Sequence, residues 1–154
     1  MKILVIVKSK HRQNTLKIAE AMAEVAPITI CDIEDSTHYN LDQYDIIGLG
    51  SGINAGKFSK ELFSFVTTHL NELQNVFVFS TSGKGKKEYN NELVDYLNLH
   101  CKNVLGSFAC KGLCKWFIFA IIGGISKGHP DMADFDAAQA FIEQVMDKYK
   151  STNN

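Results

Sequence analysis

A short loop near the start of the chain combines the kinds of side chain that bind anions. It reads Ser9-Lys10-His11-Arg12-Gln13-Asn14-Thr15 and lies between an apolar run, 3–7, and an amphipathic helix predicted to open at Asn14 or Thr15. Free N–H groups and the dipole at a helix N-terminus attract anions, and an arginine can hold a phosphate with two hydrogen bonds. The same residues also suit an ordinary helix start capped by Asn14 or Thr15, so this segment alone leaves both interpretations open.

The chain as a whole has the composition of one globular domain. Its 154 residues are 45 % apolar and carry a net charge of −1. We expect a single domain over residues 1–150 and a frayed polar tail over 151–154. A near-neutral chain without a basic stripe gives no electrostatic case for nucleic acid. The N-terminal apolar run is too short for a secretory signal or a membrane span.

Cysteines and histidines give no sign of a metal centre or a disulfide scaffold. The four cysteines are sparse, which indicates a reducing cytoplasm, and none of the histidines has metal-ligand spacing. Acidic residues near the start of the last predicted helix are expected to cap it: Asp131, Asp134 and Asp136. We therefore predict no metal site. The cysteines are Cys31, Cys101, Cys110 and Cys114.

Strand-like and helix-like segments alternate along the chain. Strands are predicted at 3–7, 27–31, 45–50, 76–80 and 103–110, and helices from about 14, 58–70, 89–100 and 133–149. Strands that are apolar throughout predict a parallel sheet covered on both faces, hence a three-layer α/β/α domain. Right-handed crossovers favour the doubly wound order 2-1-3-4-5, with a ligand crevice at the carboxyl ends of the strands.

Three loops would converge at that crevice. The second, 51–57, and the third, 81–87, contain glycines that let the backbone approach a flat ligand, although glycines also serve in plain turns. We expect the convergence to form a binding site without a catalytic acid–base pair. The candidate residues are Ser9, Lys10, His11, Arg12, Gln13, Asn14, Thr15, Ser51, Gly52, Ile53, Asn54, Ala55, Gly56, Thr81, Ser82, Gly83, Lys84 and Gly85.

The apolar run Trp116–Ile122 has two interpretations. It is far too short to span a bilayer, so burial against the sheet edge or the last helix is the simpler one. The alternative is an exposed patch for a protein partner, an apolar substrate or peripheral contact with a membrane.

An ordered set of motifs resembles the flavodoxin family, in particular its short FMN-binding members. The set begins with the first loop, in which Arg12 and Gln13 stand where relatives tend to have His and Gly. It continues through 51–57, 79–83, 106–112 and 127–130, so it covers nearly the whole chain. The resemblance implies non-covalent FMN, with its phosphate in the first loop and its ring between the second and third.

The resemblance also sets the functional expectation. Asn54 stands where similar proteins often have an aromatic residue, so ring cover is expected from Ile53, Tyr89 or Trp116. We predict low-potential electron transfer through FMN, to a redox partner protein or a small redox substrate. The alternative is an FMN-dependent oxidoreductase acting on a quinone or protoporphyrinogen-type substrate. A response-regulator receiver is excluded, because Lys8 and Ser51 stand where that fold needs carboxylates for Mg²⁺.

Overall fold

A computed structural model describes residues 1–8, 13–112 and 128–153 of the protein. Those ranges contain five strands and four α-helices. The strands are β1 (Ile3–Lys8), β2 (Ile28–Asp32), β3 (Ile46–Gly52), β4 (Asn75–Ser82) and β5 (Asn103–Lys111). The helices are α1 (Asn14–Ala23), α2 (Lys60–Thr68), α3 (Asn91–Leu99) and α4 (Met132–Thr152). Residues 9–12 of the first loop and the apolar run 116–122 lie outside the described residues.

The five strands form one sheet in the order β2-β1-β3-β4-β5, and all neighbouring strands are parallel. This confirms the predicted doubly wound order. The sheet is apolar on both faces because helices cover both of them. One face packs against α1 and α4, through side chains that include Ile18 and Ile142. The other packs against α2 and α3, through Leu62 and Leu93, which confirms the three-layer arrangement.

Two glycines at the centre of the sheet make room for two phenylalanines. Gly48 pairs with Phe77 and Gly50 pairs with Phe79 across β3 and β4. A side chain at either glycine would overlap the ring of its partner. Both rings are completely buried, so the phenyl groups occupy the space that a Cβ would need. Gly48 and Gly50 therefore determine how the core packs, although neither has a side chain.

Two strands run further than the sequence predicts. β3 continues through Gly52 and β4 through Ser82, because the ladder between them and β5 continues: Gly52 pairs with Thr81, and Thr81 pairs with Cys110. Ser51, Gly52, Thr81 and Ser82 are therefore strand residues rather than loop residues. Their backbones are held by neighbouring strands, which fixes the base of both predicted loops.

The segment after β2 also differs from the prediction, because local hydrogen bonds stabilise turns in it. The sequence predicts a loop with at most one helical turn over 32–43, but the structure has two 3-10 turns, Ile33–His38 and Leu41–Gln43. The side chains of Asp32 and Asn40 cap them by accepting hydrogen bonds from the backbone two residues later. Short Asx caps of this kind stabilise a turn without an apolar pattern.

The last helix is longer than predicted. It ends at Thr152 rather than Tyr149, and the hydroxyls of Ser151 and Thr152 donate to the carbonyl oxygen of Lys148 at 2.8 and 2.9 Å. These hydroxyls are thereby bonded to the last turn of the helix itself. The division into a domain over 1–150 and a tail stays a prediction. No helix of the described ranges has the length and apolarity needed to cross a membrane.

We predict that Gly50→Ala destabilises the fold far more than Gly52→Ala in the same strand. The methyl group at position 50 would overlap the Phe79 ring, whereas at position 52 its nearest neighbour, Thr15 Oγ1, is 3.8 Å away. Overpacking of this kind costs about 1–3 kcal/mol of unfolding free energy. Urea denaturation of the two variants measures the difference. Equal losses would mean that the two phenyl rings can move aside.

Candidate functional site

The parallel register brings the carboxyl ends of four strands side by side. Lys8 of β1 pairs with Ser51 of β3, Gly52 pairs with Thr81 of β4, and Thr81 pairs with Cys110 of β5. The three predicted loops all leave this edge. Of the first loop, only Gln13, Asn14 and Thr15 belong to the described residues, and Ser9, Lys10, His11 and Arg12 do not.

Helix α1 begins at Asn14, and the residue before it, Gln13, has a backbone conformation that is more usual for glycine. Gln13 is the N-cap, with a left-handed φ of 54°, and within the described part of the chain its side chain accepts no hydrogen bond from the first turn. Its carbonyl accepts the first helical bond, from Lys17 N, at 2.9 Å. The prediction that Asn14 or Thr15 is the cap is therefore wrong.

A buried pair of hydroxyl groups joins α1 to β4. The Oγ1 atoms of Thr15 and Thr81 lie 2.9 Å apart, and the two residues are 1 % and 5 % exposed. Gly52 lies beside the pair, since a Cβ built on it would be 3.8 Å from Thr15 Oγ1. The hydroxyl of Thr15 therefore does not cap its own helix; it fixes the helix N-terminus to the strand that carries the third loop.

The second loop is a tight reverse turn with two left-handed residues. Asn54 and Lys57 exchange two backbone hydrogen bonds of 3.0 Å, and the central residues Ala55 and Gly56 have φ of 50° and 76°. Two positive φ values are the signature of a type I′ turn. The turn is anchored at its base, where Ile53 N donates to Thr81 O at 2.9 Å.

Tyr89 lies against this turn. A Cβ built on Gly56 would be 3.7 Å from a ring carbon of Tyr89, so the glycine and the half-buried tyrosine are neighbours. Asn90, the next residue, is fully buried, and its Nδ2 donates to Ser107 Oγ and Phe108 O at 3.0 and 2.9 Å. These two bonds hold the short 3-10 turn Lys87–Asn90 against β5.

The third loop folds back onto the end of β5. Gly85 has a φ of 62° and donates from its backbone to Ser82 Oγ at 2.8 Å, and a Cβ on it would be 3.0 Å from the backbone nitrogen of Lys111. Gly112 in turn donates to Ser82 O at 2.9 Å and packs so closely on Asn14 that a Cβ would be 2.9 Å from its Nδ2. Gly112, just after β5, therefore contacts both the first and the third loop.

Ser51, one of the predicted site residues, has a structural role. It is completely buried; its hydroxyl donates to Gly52 O at 2.7 Å and accepts from Ser59 N at 3.1 Å. Ser59 is the N-cap of α2. The side chain of Ser51 thus joins β3 to the start of α2. It holds the backbone of the second loop in place and does not belong to the exposed surface of that loop.

Two ionisable groups at this edge are strongly affected by their surroundings. The hydrogen bond from Lys8 Nζ to Glu34, 2.7 Å, raises the pKa of the lysine. Burial raises the pKa of the Cys110 thiol to about 12, with Asp134 and Asp131 adding to the effect. Cys110 is consequently a protonated, unreactive core residue at neutral pH.

The start of α4 confirms the predicted acidic capping for Asp131 and Asp134. Their side chains and backbones form a capping box, and the N–H of Asp134 lowers the pKa of the Asp131 carboxyl. His129 joins them, with Nδ1 2.6 Å from Asp134 Oδ2. A ligand atom from each residue lies within 4.8 Å of the others, a cluster that sequence spacing did not reveal. The hydrogen bonds within this cluster already explain why the three residues lie together at the start of the helix.

Tyr89 was expected at the site as ring cover, but three other residues at this edge were not among the predicted site residues. Lys57, Lys111 and Gly112 contact the predicted site through backbone packing and hydrogen bonds. The contact between the hydroxyls of Thr15 and Thr81, which are 66 positions apart, was not predicted either. Backbone packing of this kind leaves no pattern in residue types.

Known proteins are similar to this chain over most of its length. The flavodoxin domain family matches residues 4–112. An uncharacterised protein of Methanocaldococcus jannaschii is 36 % identical over 148 residues, which cover 95 % of this chain and 99 % of the relative.

Solved structures are similar in fold. A flavodoxin from the domain Archaea has a TM-score of 0.73 at 16 % identity, over 97 % of this chain and 99 % of its own. A flavoprotein from Lactobacillus acidophilus, solved in complex with FMN, has a TM-score of 0.54 at 16 % identity, over 69 % of this chain and 90 % of its own.

We predict that Thr81→Val is clearly more destabilising than Thr81→Ser. Valine leaves the buried Thr15 hydroxyl without its partner, which costs about 1–3 kcal/mol, whereas serine keeps a hydroxyl at the same place. The double variant Thr15→Val/Thr81→Val should recover part of the loss, because it removes both polar groups. Denaturant unfolding of the single and double variants measures this coupling. Additive losses would contradict it.

Proposed function

The chain belongs to the flavodoxin family, and we propose that it binds FMN non-covalently and transfers electrons through it at low potential. The observation that carries the proposal is the meeting of three segments at one edge of the sheet: the start of α1, the turn 54–57 and the segment 82–85. The flavoprotein of similar fold that holds FMN supports the choice of flavin. We further propose that the predicted site residues form this FMN site.

The described residues at the start of α1 suit the phosphate. A helix N-terminus supplies N–H donors and a partial positive charge, and the left-handed Gln13 turns the chain sharply just before it. The buried bond between Thr15 and Thr81 fixes this helix end in place. Lys10 and Arg12, next to it in the sequence, add two full positive charges.

The described residues of the second and third loops suit a planar ring. The left-handed turn at Ala55 and Gly56 offers peptide groups without bulky side chains at its tip. Ile53 packs against the core below it, and Tyr89 stands beside Gly56, so both can cover an apolar ring. These contacts favour Tyr89 as the aromatic partner that Asn54 does not provide.

When bound, FMN supplies the one- and two-electron chemistry itself. The chain's own tasks are to bind the phosphate, to orient the ring edge beside the turn 54–57 and to keep water from the ring face. The backbone dipoles of Ala55 and Gly56 would then influence the reduction potential through their position. A carrier needs no general acid or base, and this is consistent with the use of His129, Asp131 and Asp134 as a helix start.

We also propose a reducing, cytoplasmic setting. Cys31, Cys101 and Cys110 are free thiols. Burial raises the pKa of Cys31 to about 12, as it does for Cys110, so neither thiol is prone to oxidation.

The decisive test is the affinity for FMN and for riboflavin, which lacks the phosphate. Purified protein should show flavin absorbance in the blue and should prefer FMN. Arg12→Ala removes a charge-assisted hydrogen bond worth about 1.5–3 kcal/mol, so FMN affinity should fall about 10- to 150-fold while riboflavin affinity barely changes. Lys17→Ala, an exposed lysine one turn into α1, is the matched control and should change neither.

Three results would overturn the proposal. A colourless protein that takes up no added FMN rules out the cofactor. Equal losses for FMN and riboflavin in Arg12→Ala rule out the phosphate assignment. Steady turnover of a quinone by the isolated holoprotein would favour the oxidoreductase alternative over a carrier.

We predict that Gly56→Val changes flavin affinity or midpoint potential while the far-UV circular dichroism stays native. A β-branched residue is strained at a φ of 76°, so the turn must rearrange. Cys101→Val places the same side chain at another positive φ, 57°, at the opposite edge of the sheet, and should leave the flavin unaffected. Unchanged affinity and potentials in Gly56→Val would remove this turn from the site.

A further inference from the structure

Five exposed lysines surround the edge of the sheet at which the loops meet. They come from three separate segments: the second loop, the third loop with the turn after it, and the end of β5. We call them the basic rim. They are Lys57, Lys84, Lys86, Lys87 and Lys111.

Packing of the backbone makes the rim one continuous patch. Lys84 and Lys86 flank Gly85, which packs directly on the backbone of Lys111. Lys57 closes the turn whose Gly56 lies against Tyr89, and Lys87 begins the 3-10 turn that contains Tyr89. The three segments therefore touch one another.

The lysines of the rim have no ion-pair partner in the described part of the chain. Among the described residues, no carboxylate lies within ion-pair distance of any of the five lysines. Glu88 is the one acidic residue in the stretch 83–88, which carries three lysines. Because an exposed ion pair contributes little to stability, leaving these lysines unpaired costs the fold little and keeps their charge available to a partner.

Several acidic residues line a cavity at the opposite edge of the sheet. A cavity of about 220 Å³ beside the amino ends of β3 and β4 is lined by Asp42, Asp45 and Glu72, together with Tyr149 from the end of α4. A patch of unpaired lysines such as the basic rim attracts an acidic surface before contact.

We propose that the basic rim is the docking surface for an acidic electron-transfer protein. The inference rests on the proposed function, because a rim around a flavin site places the partner where electrons leave. It identifies the sign of the partner: an acidic face is attracted and a basic one is repelled. A protein is favoured over nucleic acid or an anionic membrane because the chain as a whole is not basic.

Stopped-flow electron transfer from the reduced holoprotein tests the proposal, with an acidic plant-type ferredoxin and the basic cytochrome c as probes. Lys86→Glu/Lys87→Glu should slow association with the ferredoxin about tenfold at ~0.01 M ionic strength and speed association with cytochrome c. Both differences should vanish at ~1 M, where charges are screened within ~3 Å. Lys102→Glu/Lys150→Glu changes the net charge equally at the amino edge and should have little effect on either probe.

Binding without electron transfer separates this proposal from the flavin assignment. The ferredoxin should bind the protein whether or not flavin is present, with the same loss in Lys86→Glu/Lys87→Glu, and flavin absorbance should be equal in all variants. A colourless protein that still binds ferredoxin would overturn the proposed function but not the surface. Equal effects of the rim and control variants would overturn the surface, as would tight binding to phosphatidylserine vesicles or duplex DNA with none to ferredoxin.

Discussion

Parallel pairing forces every connection between neighbouring strands to travel the full length of the sheet, from the carboxyl end of one strand to the amino end of the next. In this protein all four strand pairings are parallel. Each segment that leaves a strand therefore starts at the same edge, and chemically useful side chains far apart in sequence meet there. Helix N-termini gather at that edge as well, because each crossover helix begins soon after its strand ends.

The centre of the sheet determines how closely those segments approach. Because Gly48 and Gly50 leave room for Phe77 and Phe79, one face of β3 carries almost no side-chain volume of its own. Helix α1 covers this face, and its Thr15 reaches the hydroxyl of Thr81 across Gly52. A larger residue in place of these glycines would push apart α1 and the strand that carries the third loop.

Sequence patterns predicted the layers, the strand order and the convergence of loops, because each depends on apolar periodicity and on general rules of connection. They did not predict that β4 continues to Ser82, since a strand's end is decided by whether its neighbours still offer partners. They also missed the left-handed Gln13 and the contact between Gly112 and Asn14. Those features depend on distances between segments that no local pattern encodes.

The distribution of charge over the surface is also something that the composition of the chain does not predict. Composition alone gives a chain of almost zero charge, from which no partner could be inferred. Folding brings the lysines of three segments together at one edge. Because an exposed ion pair contributes little to stability, leaving these lysines without carboxylate partners costs the fold little. The resulting patch acts over distances set by the ionic strength and attracts an acidic surface before any contact is made. The edge that faces an acidic surface is then the one at which the three loops meet.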